Sequence, residues 1–233
     1  MDYEQNVRPA DLGTVVGART NKVMRNTYML LALSMIPTVL GAWLGVATGL
    51  AQSMLVNPGT TLIVFLVGAF GFMFAIEKNK ESGVGVGLLL AFTFFMGIML
   101  SRMIGMVLGM ANGATLIGIA FGGTSIIFLS MAAIGTVIKR DLSGLGKFLM
   151  IGAWVVFFAS ILTFFVHMPA MFVVICVMVI AIFSLYMLYD VNKVISGGET
   201  NYISATLQLY LDIYNVFQAL LALLSIFGGG NRN

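Results

Sequence analysis

Long apolar runs separated by short polar breaks dominate this chain. After a polar stretch of mixed charge over residues 1–26, the runs recur at roughly 27–50, 60–76, 84–109, 114–138, 147–166, 170–190 and 203–227. A helix needs about 20 apolar residues to cross a bilayer core about 30 Å thick, so the pattern predicts seven transmembrane helices. The fold class is all-α, a polytopic membrane protein. The breaks alternate between two sides, with 77–83, 139–146 and 191–202 on one and 51–59, 110–113 and 167–169 on the other. None is long enough to fold alone. The expected organisation is a flexible cytoplasmic tail, 1–26, followed by one seven-helix domain, 27–230.

The last run differs from the rest. Ser204, Gln208, Asp212, Asn215 and Gln218 follow at steps of four, four, three and three. At the helical period they share one arc under about 130° wide. Polar groups have no partners in hydrocarbon, so this stripe predicts a helix lodged among the others. Asp190 closes the preceding run, in Leu-Tyr-Met-Leu-Tyr-Asp. It reaches the level of Asp212 if its helix continues a turn or two, toward Ile195. Two carboxyls brought close then share a proton and titrate as a unit. The alternative reading places Asp190 at the interface, paired with Lys193, and Asp212 alone as a protonated, hydrogen-bonded carboxyl.

Charge sets the expected orientation. One side holds Arg8, Arg19, Lys22, Arg25, Lys78, Lys80, Lys139, Arg140, Lys147 and Lys193, and the other holds Arg232. The bias predicts a cytoplasmic N-terminus and, after seven spans, a periplasmic C-terminus. It also explains the basic composition without nucleic acid as a partner. Arg102 falls within the third span near its outer end, with snorkelling toward the interface as its default. The lone Cys176 excludes an intramolecular disulfide, and His167 has no second His or Cys to make a metal site, so no metal or cofactor is expected. Small residues spaced by four, as at Gly41, Gly45 and Gly49, predict close helix packing. The seventeen methionines read as adaptable filler. Glu77, Lys78, Lys80 and Glu81 read as a solvated loop. An intramembrane aspartyl protease would need Gly-x-Gly-Asp, and Asp212 follows Leu209-Tyr210-Leu211 instead. No other catalytic motif appears, and the chain reads as non-enzymatic.

Three stretches carry a family resemblance: Lys139-Arg140-Asp141-Leu142-Ser143-Gly144-Leu145-Gly146, Leu188-Tyr189-Asp190-Val191-Asn192-Lys193-Val194-Ile195, and Leu209-Tyr210-Leu211-Asp212-Ile213-Tyr214-Asn215. In order and spacing the chain resembles the Bax inhibitor family. Asn26-Thr27-Tyr28 and Gly197-Gly198-Glu199-Thr200-Asn201-Tyr202-Ile203 resemble the bacterial inner-membrane branch whose members restrain a membrane-anchored, ATP-dependent AAA protease. The resemblance implies six helices around a central seventh. It implies that Asp190 and Asp212 match a di-aspartyl pH sensor of calcium-leak members. It departs from those members at 60–76, which lacks the basic residue that pairs with the first aspartate there. Two functions are therefore expected: modulation of a membrane-anchored protease, or a pH-sensitive leak with Ca2+ as the transported ion.

Overall fold

The computed structural model describes residues 9–228 apart from 139, 141, 166 and 167. His167, and Lys139 and Asp141 of the first motif stretch, therefore lie outside the described residues. The described residues form eight α-helices: α1 Pro9–Ala47, α2 Leu50–Val56, α3 Pro58–Asn79, α4 Gly83–Leu108, α5 Gly113–Val137, α6 Ser143–Phe165, α7 Pro169–Ile195 and α8 Tyr202–Gly228. All but the short α2 are long and apolar enough to cross a membrane, and the crossing part of α1 is Thr20–Ala47. The seven spans are those that the hydropathy pattern predicts. Because they alternate in direction, the bundle has two ends. One carries α2 and the α4–α5 turn. The other carries the α3–α4 and α7–α8 turns.

One boundary differs from the sequence expectation. Residues 9–26, read as a mobile tail, continue the helix of the first span. Helix elongation onto an existing helix carries no nucleation cost, and Pro9 stands at the first helical position, where its missing N–H is no loss.

α8 runs through the interior. It packs against α1, α3, α4, α5 and α7. No residue of α8 before Ile226 is exposed. Six helices are expected around α8; five of them contact it directly, and α6 does not. Among the described residues α6 packs along α7 and meets α3 through the edge-to-face pair Phe70 and Phe157, with ring centroids 6.5 Å apart. α6 accordingly turns Phe148, Ile151, Trp154, Val155 and Phe158 outward and buries Leu149 and Val156.

The tightest seam joins α1 to α4. A Cβ at Gly41 would run into the Phe94 carbonyl, one at Gly45 into the Ser101 hydroxyl, and one at Gly97 into the Thr38 carbonyl. Glycine on both helices thus lets backbone meet backbone. On its other flank α1 leaves α5 at a distance. The two helices meet through the edge-to-face pair Tyr28 and Phe128, with ring centroids 6.2 Å apart. Between them lies a cavity of about 710 Å³, floored by Tyr210, Ile213, Tyr214 and Phe217 of α8.

Candidate functional site: a buried carboxyl pair between two helices

The α7–α8 connection explains how two aspartates far from each other in sequence meet. α7 continues past Asp190 to Ile195. Gly197 then takes a left-handed conformation, φ 79°, which a side chain would strain. The Gly198 and Glu199 N–H groups donate back to the Lys193 carbonyl at 2.8 and 3.1 Å, and the Gly197 N–H donates to the Val194 carbonyl at 3.1 Å. These bonds satisfy the carbonyls that the end of α7 leaves free.

Asn201 then starts α8. Its Oδ1 accepts from the Ile203 and Ser204 N–H groups at 2.8 and 3.1 Å, an N-cap. Its Nδ2 donates to the Lys80 carbonyl at 2.8 Å and to Glu81 Oε1 at 3.1 Å. One side chain thus caps α8 and ties it to the α3–α4 turn. Two further contacts reinforce that tie. Ser204 Oγ donates to Glu77 Oε2 at 3.2 Å, and Lys80 Nζ donates to Glu77 Oε1. Glu199 Oε1 accepts from the Asn201 N–H at 2.9 Å, while Glu199 Oε2 lies 3.9 Å from Lys193 Nζ.

With the turn so fixed, the carboxyls of Asp190 and Asp212 come within hydrogen-bonding range of each other. They are 6% and 4% exposed. Ionised carboxylates only accept, so this contact is a hydrogen bond only when one of the two carries a proton. Asp212 Oδ2 is sequestered and receives no donor from a described residue. Tyr186 stands one turn before Asp190 on α7. Lys193 does not ion-pair with Asp190. Its Nζ lies 3.9 Å from Glu199 Oε2 instead. Among the described residues no ion pair reaches either aspartate, in keeping with the absence of a basic residue in 60–76.

The other stripe residues divide by partner. Ser204 engages Glu77. Asn215 Nδ2 turns back to the Leu211 carbonyl at 2.8 Å, and Gln218 Nε2 donates to Tyr214 Oη at 3.1 Å. Gln208 is half-buried and makes no side-chain hydrogen bond to a described residue. The stripe does not face a lipid side opposite it, because Leu209 and Val216 are buried as well. Arg102 is not drawn to the pair. It sits toward the α2 end of the bundle, about 28 Å along α4 from Gly83, whereas Asp212 is about 15 Å along α8 from Tyr202.

Several partners of the site escaped the sequence reading. Tyr210 Oη shares a hydrogen bond with Thr38 Oγ1 at 2.9 Å and lies 3.4 Å from the Thr93 carbonyl. Tyr214 Oη donates to the Met96 carbonyl at 3.2 Å. Asn192 Nδ2 donates to the Ile138 carbonyl at 2.8 Å, anchoring α7 to the end of α5. Glu77, read as part of a solvated loop, belongs to the last turn of α3 and binds Ser204. Only Asn201 offered a signal, as a cap-forming residue directly before the last run.

A seven-span bundle built around a half-polar helix with a buried carboxyl pair defines a polytopic membrane protein with an intramembrane acid site. The chain matches the family described as "Inhibitor of apoptosis-promoting Bax1" over residues 20–232, and it belongs to this Bax inhibitor family. It is 36% identical over 214 residues to the Modulator of FtsH protease YccA of Escherichia coli, an alignment that covers 92% of this chain and 93% of that one. The same relative from a second E. coli strain is named an inner membrane protein. An uncharacterized Pseudomonas aeruginosa protein is 34% identical over 227 residues, 97% of each chain. One from Neisseria meningitidis is 36% identical over 210 residues, 90% of this chain and 92% of its own.

Proposed function

We propose that this protein is a non-enzymatic modulator of a membrane-anchored, ATP-dependent protease, acting in a bacterial inner membrane. The observation that carries this reading is the 36% identity to the E. coli modulator across nearly the whole of both chains. The family match over residues 20–232 takes in every span as well as the turn that Asn201 organises. The gathering of Lys78, Lys80, Arg140, Lys147 and Lys193 at the Asn201 end supports a cytoplasmic N-terminus and a periplasmic C-terminus. The test is reconstitution of the protease with a membrane substrate in liposomes. Adding this protein should slow substrate degradation and the two should co-purify. An unchanged rate with no co-purification rejects the reading.

The carboxyl pair favours a second reading, a proton-sensitive cation leak with Ca2+ as the transported ion. The shared proton would act as a latch between α7 and α8, released when the pair ionises and the two charges repel. Hard oxygen donors suit calcium, although two carboxyls are fewer than its usual six to eight ligands. Liposomes loaded with a calcium dye test it directly. Flux should change with pH, and the Asp190→Asn, Asp212→Asn double variant should lose that dependence. Flux equal in the two proteins at every pH removes the leak and leaves the modulator reading intact.

A further inference from the structure

The cavity between α1 and α5 holds about 710 Å³, and neither Asp190 nor Asp212 lines it. Its edges, Ala32 and Val39 on α1 and Leu129 on α5, are exposed, so it opens sideways to the bilayer. On α1 the lining runs from Tyr28 to Val39, about 16 Å at the helical rise. One leaflet supplies half of a hydrocarbon core about 30 Å thick, so the cavity is about as long as one leaflet's acyl chain. A helix about 10 Å across and of that length would need roughly 1,300 Å³. The cavity is too small to seat a partner helix and large enough for a single chain.

The hydroxyls of the lining divide in a way that points to the same occupant. Thr38 and Tyr210 bond each other at 2.9 Å, and Tyr214 donates to the Met96 carbonyl at 3.2 Å. Thr124, Ser125 and Thr136 donate to carbonyls of their own helix at 2.8, 2.8 and 2.6 Å. A lining whose polar groups are already paired asks no hydrogen bond of its occupant. Tyr28 is the exception. Its ring packs edge-on against Phe128, and its hydroxyl makes no hydrogen bond to a described residue. Of the lining residues on α1 it is the nearest to the N-terminus. Helical side chains lean that way, which carries the hydroxyl toward the polar end of the span.

Arg25 stands at that end, just before the apolar run that begins at residue 27. It is exposed, and no ion pair among the described residues involves it. Arg25, Ala32 and Val39 are spaced by seven, and a helix drifts only about 20° per heptad. The three therefore form one row along the bilayer-facing rim of the cavity, with the charge at the edge of the hydrocarbon. A phospholipid presents its groups in the matching order. Its phosphate meets the guanidinium, which pairs with phosphate oxygens in charge-assisted hydrogen bonds. Its ester oxygens accept from the Tyr28 hydroxyl. Its chain then enters the part of the cavity that has no polar group to offer.

We propose that a phospholipid of the leaflet at the Arg25 end docks here, one acyl chain filling the cavity between α1 and α5 and its phosphate held by Arg25. The test uses the full chain purified in a phosphate-free detergent, with lipid binding followed by native mass spectrometry. Wild type should bind one phosphatidylglycerol. Ala32→Trp, which fills the mouth of the cavity, should weaken that binding at least about tenfold. Arg25→Gln should weaken it about tenfold, as loss of a charge-assisted hydrogen bond does, and Tyr28→Phe a few-fold. Undiminished binding in Ala32→Trp overturns the proposal. So does equal affinity in wild type and Arg25→Gln. So does palmitate binding as tightly as phosphatidylglycerol, which would make the site one for a free fatty acid. So does equal competition by glycerophosphoglycerol, which has no chain. A wild-type dimer that excludes lipid and is lost in Ala32→Trp overturns it as well, since the occupant would then be a second copy of the chain. If Ala32→Trp fails to fold, Ala133→Leu on the exposed side of α5 decides in its place, and undiminished binding there overturns it too.

Discussion

α6 and α8 are helices of similar length with opposite relations to their surroundings. α6 is almost wholly apolar, rests mainly on α7 with one aromatic contact to α3, and shows the bilayer Phe148, Trp154 and Phe158. α8 carries an acid, three amides, hydroxyls and two buried tyrosines, and five helices contact it. In water the buried helix would be the apolar one. In lipid the apolar helix loses nothing by standing outside, since the chains around it are as apolar as its neighbours would be. The polar helix has to be inside, because only there do its groups find partners. Position in this bundle is therefore decided by hydrogen-bonding need more than by hydrophobicity.

The comparison can be broken most severely at α8. Tyr210→Ala removes a ring packed at 6.1 Å from Phe92 and two polar contacts, and it should destabilise the bundle by about 3–5 kcal/mol in a detergent-unfolding titration. A loss below about 1 kcal/mol would show that enclosure of α8 is not what holds the bundle together. At the α1–α4 seam Gly41→Leu forces two backbones apart and should cost at least about 1–3 kcal/mol in the same titration. Asn201→Ala removes the cap and the tie to the α3–α4 turn. It should cost about 1 kcal/mol and speed amide exchange at both Ile203 and Ser82. Faster exchange at Ile203 alone would mean that the side chain only caps.

On α6, Phe158→Leu changes a lipid-facing ring and should leave stability within about 0.5 kcal/mol. The smallest effect concerns pH. The hydrogen bond to Glu77 raises the Lys80 pKa above its ordinary 10.5. A group whose folded-state pKa is raised stabilises fully below the unfolded value and loses that contribution as pH rises through the folded one. The difference in melting temperature between wild type and Lys80→Met should thus be small at neutral pH, begin to fade near pH 10.5 and vanish only above the raised folded-state value.

Much of this was legible in the chain, for reasons particular to lipid. Crossing a bilayer demands long apolar runs, so all seven spans could be counted. Asp190 and Asp212 stand out because a carboxylate is rare in such surroundings, and the residues after Asp190 permit the extra turn or two of helix that α7 has. The neighbours of α6 were not legible, since its hydropathy matches that of helices in the ring. Tyr210 and Tyr214 passed as apolar bulk because nothing local shows that their hydroxyls end on carbonyls of α4. The helix at residues 9–26 was hidden because it borrows its nucleus from the span that follows.

The glycine contacts between α1 and α4 have a mechanical consequence. Two helices whose backbones touch cannot slide without a clash, so they form one beam. The opposite flank of α1 has no such seam, only two aromatic edges across a cavity. Whatever displaces α8 will therefore find a stiff wall on one side and a compliant one on the other, and the bundle will part where α1 faces α5.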